Sequence, residues 1–204
     1  MDFQPVDREL AFVLPVVLVS TIGNQGVRNL APYSNFTPLL RSTDMILLAS
    51  WHRRDTLKNI RANGEFVVSV PPVEMADKIM PTAMHYPPDV DEFVQACLQP
   101  KPSLQVAPPG VEGCLAWLEC RLAKQYVEKS YVLVVGQVLR MEVAEGMVNQ
   151  RGGLDLQRAR PLLASLDREG VHWATAVDLG KGEPYGAMFP GGQDPLAQGA
   201  RPKP

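Results

Sequence analysis

A short stretch of the chain combines cationic and hydroxyl side chains with the start of a predicted helix. It covers residues 50–59 (SWHRRDTLKN), and Arg53, Arg54 and Thr56 stand at or beside the predicted first turn. The N–H groups that open a helix, an arginine fork and a hydroxyl together suit a phosphate dianion. The same residues also fit a plain helix start, in which Asp55 caps the helix and the arginines face solvent.

A second polar segment can present hydrogen-bonding groups to a flat ligand. It covers residues 29–36 (NLAPYSNF) and follows the turn at 21–26 (TIGNQG), which predicts a strand, a glycine turn and a returning run. Its asparagine and serine side chains are polar, and Pro32 fixes the local backbone. Such a run can offer N–H and C=O groups to the edge of a polar heterocycle. A hairpin whose Asn and Ser satisfy local turns fits the same residues.

The composition argues against several classes of protein. The chain has 204 residues, 46% hydrophobic and 21% charged, which is enough for one domain with a real core. A formal net charge of -2 gives no long-range attraction to nucleic acid. The N-terminus lacks the pattern of a signal peptide, and the longest apolar stretch, residues 11–19, is about half of the ~20 residues that span a bilayer. We expect a cytoplasmic protein without nucleic acid or membrane partners.

The cysteines and histidines predict neither a disulfide framework nor a metal site. Cys97, Cys114 and Cys120 are odd in number and lack CxxC spacing, so we expect buried, unreactive thiols. None of the three histidines stands at ligand spacing from an acid or a cysteine.

Short β-branched runs bounded by Gly, Pro and Asn indicate a mainly β domain. The predicted strands cover residues 16–22, 45–50, 66–70, 114–122 and 131–143. In the last run apolar and polar residues alternate, which is typical of a half-buried antiparallel strand. The length and spacing of the strands favour a barrel or a sandwich.

Three short peripheral helices are predicted from apolar spacing and end signals. The first covers 55–63 and ends at Gly64. The second lies around 89–98, and the third runs from about 156 to 166, where Pro161 would kink or restart it.

The domain prediction places one domain at residues 1–179 and a tail at 180–204. Proline pairs between 71 and 113 indicate an irregular excursion within the domain, of the kind that often covers a site. Eleven of the 25 tail residues are Gly or Pro, so we expect the tail to be disordered or packed on a partner subunit.

Several motifs occur in an order that points to one family. The segments at 29–36 and 54–60 (RDTLKNI) are followed by EFVV at 65–68, DEF at 91–93, ACL at 96–98, LEC at 118–120 and VGQV at 135–138. Their order and spacing resemble the flavin reductase-like, FMN-binding split-barrel family, and its flavoredoxin-like branch in particular. The resemblance covers about residues 10–144.

The resemblance implies a fold, an assembly and a binding site. The fold is a six-stranded antiparallel Greek-key split β-barrel with short peripheral helices, which forms a homodimer with FMN at the subunit interface. Carried over by position, the residues lining the isoalloxazine and ribityl chain are Asn29, Ala31, Pro32, Tyr33 and Ser34. Those holding the phosphate are Ser50, Arg54 and Thr56, with Asn59 nearby.

The chain departs from the family pattern at two positions and after residue 144. Arg54 stands where family members often have Lys, and it can bind phosphate as a bidentate fork. Cys97 replaces a usual Gly, which we expect to alter packing beside the flavin. The likeness fades after Ala144, which leaves the choice of substrate open.

The resemblance also implies a function. An FMN-dependent oxidoreductase of the flavin reductase type accepts hydride from NADH or NADPH onto flavin and passes electrons to flavin or to another small-molecule or protein acceptor. The cofactor carries this chemistry, so no catalytic side chain is predicted. The alternative is an FMN-binding electron carrier or sensor without steady NAD(P)H turnover.

Overall fold

The chain folds around antiparallel β-sheets in a computed structural model that describes residues 4–40 and 43–192. Twelve strands lie in this described part: β1 (Val13–Pro15), β2 (Val17–Ile22), β3 (Arg28–Tyr33), β4 (Phe36–Pro38), β5 (Met45–Trp51), β6 (Glu65–Val70), β7 (Pro100–Lys101), β8 (Gly110–Val111), β9 (Ala116–Val127), β10 (Tyr131–Val143), β11 (Leu162–Leu166) and β12 (Val171–Thr175). The same residues contain α1 (Asp55–Asn63), α2 (Ala76–Ala83), α3 (Glu92–Gln95) and α4 (Leu156–Ala159). Short 3-10 helices cover Pro5–Ala11, Val73–Met75, Tyr185–Met188 and Pro190–Gly192.

Seven of these strands form the main sheet, in the order β3-β2-β6-β9-β10-β5-β4, and every neighbouring pair is antiparallel. Six of the seven have six residues or more, and only β4 is shorter, with three. A three-stranded sheet joins β1, β11 and β12, and β7 pairs with β8. The six strands of the barrel that the family resemblance implies correspond to the six long strands. β4 is an additional short strand at one edge.

The main sheet must curl because its two edge strands are joined by a very short link. β3 and β4 lie at opposite edges, yet only Ser34 and Asn35 separate them in the chain. A flat sheet of seven strands would place those edges about 29 Å apart, whereas three residue steps span about 10 Å. Register shifts after Val135 and Val138 interrupt the long β9–β10 pairing and are of the kind that bends strands. The mainly β, split-barrel prediction is confirmed.

Two hydrophobic cores lie on opposite faces of the curled sheet. Because side chains alternate along a strand, β2 sends Val17 and Val19 into one core and Leu18 into the other. The first core is closed by α1, through Leu57 and Ile60. The second is covered by the chain between β6 and β9, whose buried side chains include Ile79, Phe93, Leu98 and Val106.

The strongest sequence patterns gave accurate boundaries. The predicted helix over 55–63 and the predicted strand over 131–143 coincide with α1 and β10. The helix ends as predicted, since Gly64 has φ 74° in the left-handed region. Asp55 does not cap it, however, because Arg54 occupies the N-cap position and Asp55 is the first helical residue.

Three boundary predictions are wrong. The helix predicted over 156–166 stops at Ala159, and β11 follows Pro161, since leucines spaced for a helix also suit one face of a strand. The helix predicted over 89–98 shrinks to the four residues of α3. The strand predicted over 114–122 continues to Val127 as β9, which shortens the connection to β10.

The excursion at residues 71–113 is more ordered than its prolines suggested. It contains α2, α3, β7 and β8, and Pro81 lies inside α2, which hid that helix from sequence patterns. Residues 180–192 include two 3-10 helices, and the rest of the predicted tail, 193–204, lies outside the described residues. The division at residue 179 stays a prediction.

Cys97 occupies a backbone position that favours glycine. The Leu98 N–H donates to Phe93 O at 2.8 Å and the Cys97 N–H to Val94 O at 3.1 Å, which is the hydrogen-bond pattern of a Schellman motif. Cys97 therefore ends α3 with φ 51°. Its side chain is exposed, so the prediction of a buried thiol is wrong for this residue, whereas Cys114 and Cys120 are buried.

Replacing Cys97 by Gly is expected to raise the free energy of unfolding by about 0.5–1 kcal/mol. The left-handed conformation costs a non-glycine residue about 1–2 kcal/mol, of which the flexibility of unfolded Gly cancels a part. Urea unfolding of Cys97→Gly and Cys97→Ala measures the effect. Because alanine keeps the backbone cost, it should give no gain. An equal gain in both variants would contradict the conformational explanation.

Candidate functional site

A cavity of about 440 Å³ lies where β3, the end of β5 and the start of α1 meet. Its size is within the usual range for small-molecule sites. Its lining includes eight of the nine residues predicted to bind a cofactor: Asn29, Ala31, Pro32, Tyr33, Ser34, Ser50, Arg54 and Thr56. The structure thus brings the two polar segments of the sequence together in one cavity.

Two side-chain hydrogen bonds join the segments directly. Asn29 Nδ2 donates to Thr56 Oγ1 at 3.0 Å, and the hydroxyls of Tyr33 and Ser50 lie 3.2 Å apart. Asn29, Ser50 and Thr56 are all buried, which strengthens such bonds relative to exposed ones. These contacts fix β3 against the end of β5 and the first turn of α1.

Asn59 is the one predicted binding residue that does not line this cavity. Its Nδ2 donates to Thr21 Oγ1 at 3.0 Å, which ties α1 to β2. It lines a neighbouring cavity of about 300 Å³, which shares Asn29, Asp55 and Glu92 with the larger one.

The α1 end of the cavity is rich in hydrogen-bond donors and positive charge. The first hydrogen bond of the helix runs from Lys58 N to Arg54 O, so the N–H groups of residues 55–57 have no partner within the helix. No side chain caps them in the described part of the chain. Among the same residues no carboxylate pairs with the guanidinium of Arg53 or Arg54. An anion is the ligand that this end favours.

The β3 side of the cavity is the free edge of the main sheet. Leu30 lies opposite Ser20 of β2, but its N–H donates to Glu92 Oε2 at 3.1 Å and therefore points away from β2. Alternation along an antiparallel strand places the backbone groups of Pro32 on the same outward edge as those of Leu30. Proline has no N–H to leave unpaired there, which suits an edge strand.

Glu92 is a cavity residue that the sequence patterns did not single out. It is 9% exposed and lines both cavities. Burial, and then the negative charges of Asp55 and Asp91, raise the pKa of Glu92. The N–H groups of Glu92 itself and of Leu30 oppose this change. The DEF motif at 91–93 contains Glu92, but the sequence assigns this residue no role.

A further part of the cavity wall comes from the end of α2 and the residues after it. Thr82, Ala83, Met84, His85 and Tyr86 line the cavity, so part of the excursion at 71–113 faces the site. Trp51 and Tyr131 are paired across β5 and β10 and lie at the rim, 61% and 41% exposed.

The described residues offer neither a metal-binding cluster nor a membrane-spanning helix. They contain no group of three or more His, Cys, Asp or Glu residues placed to hold a metal ion. No described helix is long and apolar enough to cross a bilayer.

A curled antiparallel sheet with a polar cavity at its edge is the architecture of split-barrel proteins. The Flavin reductase like domain model matches residues 10–163, and the chain belongs to that family. An uncharacterised protein of Methanothermobacter thermautotrophicus is 47% identical over 202 residues, covering 97% of this chain and 95% of the relative. The predicted family is confirmed. The family match extends beyond Ala144, the point after which the family's motifs are no longer recognisable in the sequence. The protein is a flavin-related oxidoreductase.

Solved structures share the fold over most of the chain. Nitrilotriacetate monooxygenase component B from Bacillus cereus superposes with a TM-score of 0.77 and 25% identity, covering 87% of this chain and 96% of that one. Flavoredoxin of Desulfovibrio vulgaris (Miyazaki F) gives a TM-score of 0.79 at 18% identity, covering 93% and 100%.

Replacing Glu92 by Gln is expected to stabilise the protein increasingly as the pH rises. Since the pKa of Glu92 is raised by folding, its proton contributes stability below the ordinary carboxyl pKa, and this stability is lost as the pH rises through the folded pKa. Gln stays neutral and keeps an oxygen that can accept the Leu30 N–H. Urea unfolding between about pH 4 and pH 8 measures the difference between variant and wild type. A difference that does not change with pH would refute the assignment.

Proposed function

We propose that the protein is an FMN-dependent oxidoreductase of the flavin reductase type, which accepts hydride from NADH or NADPH and passes electrons to flavin or another acceptor. The observation that carries this proposal is the single cavity that contains both the free edge of β3 and the cationic start of α1. FMN has the matching two ends, a flat polar ring system and a phosphate.

The donor set at the α1 end fits the phosphate of FMN. Arg54 and the Thr56 and Ser50 hydroxyls line the cavity there, beside N–H groups that the helix leaves unpaired. Arginine matches phosphate geometry through paired N–H donors, and the helix dipole favours a dianion. Arg53 also lines the cavity and adds positive charge.

The β3 segment fits the ring and the ribityl chain. Asn29, Ala31, Pro32, Tyr33 and Ser34 would hold them, in part through backbone groups of the strand edge. Ala31 and Pro32 are small enough to let a flat ligand approach the backbone closely. The hydrogen bonds from Asn29 to Thr56 and between Tyr33 and Ser50 orient these residues before any ligand enters.

When bound, the flavin supplies the hydride and electron transfer, and the protein supplies binding, orientation and exclusion of water. No side chain is assigned as an acid or a base. Residues 82–86 form part of the cavity wall and so contribute to the exclusion of water.

We also propose a homodimer with FMN at the subunit interface. The exposed Trp51 and Tyr131 at the rim support this proposal, because aromatic residues are enriched at protein interfaces. Cytoplasmic location stays a prediction from the sequence.

The purified protein, supplied with FMN if colourless, is expected to show a flavin spectrum that bleaches within seconds after anaerobic addition of NADH or NADPH. Bleaching requires hydride transfer from the nicotinamide to the bound flavin. Visible absorption before and after each nucleotide is the measurement, with free FMN at equal concentration as the control. Bound flavin that stays oxidised with both nucleotides would replace the reductase by an electron carrier or sensor. The absence of flavin binding would refute the site.

Replacing Arg54 or Thr56 by Ala is expected to weaken FMN binding by about tenfold or more. A hydrogen bond to a charged group contributes about 1.5–3 kcal/mol, and 1.4 kcal/mol is tenfold in affinity. Quenching of FMN fluorescence measures the dissociation constant. Thr56→Ser keeps the hydroxyl and should bind nearly as wild type, and Arg168→Ala removes an exposed cation that does not line the cavity. Unchanged affinity in both Arg54→Ala and Thr56→Ala would refute the phosphate assignment.

A further inference from the structure

A shallow cationic groove continues from the α1 end of the cavity along the helix. Its volume is about 640 Å³, and its cations are Arg53, Arg54, Lys58 and Arg61. Arg53 and Arg54 line the cavity as well as the groove, so the two spaces adjoin at these side chains. A ligand held at the start of α1 can therefore extend into the groove.

The groove cations lack acidic partners. In the described part of the chain none of the four forms an ion pair with a carboxylate, although Asp55 also lines the groove. Elsewhere arginines are closely paired, such as Arg28 with Asp91 and Arg160 with Glu74, both at 2.6 Å. Since the whole chain has a net charge of -2, this local excess does not follow from its composition.

The arrangement of these charges works against the helix that carries them. Lys58 follows Arg54 by four residues and precedes Arg61 by three, so like charges are neighbours on one helix face. Arg54 also stands at the positive end of the helix dipole. A bound anion would offset both repulsions, because it attracts each cation and the positive end of the helix dipole. The guanidinium of Arg61 is held in place by a hydrogen bond from its Nε to Gln125 Oε1 at 2.8 Å.

The spacing suits a second phosphate beside the first. Lys58 lies about 6 Å along the helix axis from Arg54, and Arg61 lies about 10 Å from it. At those distances the long side chains of Lys58 and Arg61 can reach a group that is attached directly to a phosphate at the start of the helix.

We propose that the groove binds the additional phosphate of an adenine dinucleotide, with Lys58 and Arg61 as the recognition residues. One source is the AMP half of FAD, whose phosphate is attached directly to the flavin phosphate. The other is the 2′-phosphate of NADPH bound beside the flavin, and both are phosphate anions on an adenosine unit. The proposal rests on the proposed function, because it takes a flavin phosphate to lie at Arg54 and Thr56.

The test compares dissociation constants for FMN and FAD in the apoprotein, measured by quenching of flavin fluorescence. The variant Lys58→Gln/Arg61→Gln is expected to weaken FAD binding by about tenfold and FMN binding by less than about twofold. Each exposed ion contact contributes about 0.2–1 kcal/mol, and only FAD makes these contacts. The control Arg168→Gln/Lys181→Gln removes two exposed positive charges outside the groove and should leave both constants unchanged.

A second arm measures binding of NADP⁺ and NAD⁺ to the FMN-loaded protein by calorimetry. Loss of affinity in Lys58→Gln/Arg61→Gln for NADP⁺ but not NAD⁺, with FAD unaffected, would assign the groove to the nicotinamide nucleotide. Loss for FAD alone would assign it to the flavin. If this variant binds both FAD and NADP⁺ with wild-type dissociation constants, the groove is not a phosphate site, and the proposed function is unaffected. Failure of wild-type protein to bind FMN or FAD would overturn both.

Discussion

The two-residue link between β3 and β4 is the constraint on which the rest of this architecture depends. Ser34 and Asn35 join strands at opposite edges of a seven-stranded sheet, so the sheet must close on itself. The Ala49 N–H donates to Asn35 O at 2.9 Å, which anchors the link to β5. Closure brings the outward edge of β3 to the end of β5, and the helix that follows β5 therefore starts at the same place. The cavity is a consequence of this closure.

The polar contacts inside the cavity then set its chemistry. Asn29, Ser50 and Thr56 are buried and Tyr33 is half-buried, so the hydrogen bonds that join the two segments are shielded from water. Asn29 is held by Thr56 at one end, and Tyr33 is held by Ser50 at the other. Within the described residues Arg53 and Arg54 have no carboxylate partner, whereas the amide and hydroxyl groups of Asn29, Thr56 and Ser50 are hydrogen-bonded. That division is appropriate for a site that must keep its shape yet attract an anion.

Much of the fold could be predicted from the sequence, because its strongest patterns are local. α1 has an apolar face and a terminal glycine, and β10 has a long alternation, so both were bounded correctly. The 156–166 pattern failed because spaced leucines fit either a helix or a strand, and the pairing of β11 with β1 and β12 decides between them. The burial of Glu92 and the left-handed backbone of Cys97 depend on distant packing, which local patterns do not contain.

Different parts of the excursion between β6 and β9 pack in the core and line the cavity. Ile79 of α2 and Phe93 of α3 are buried in a core, whereas residues 84–88, between these two helices, are exposed or half-buried and include part of the cavity wall. Evolution can therefore change the composition of that short connection without a large loss of packing. Related proteins could therefore differ in the molecules they accept while keeping the same barrel. The number of residues that can change in this way is small.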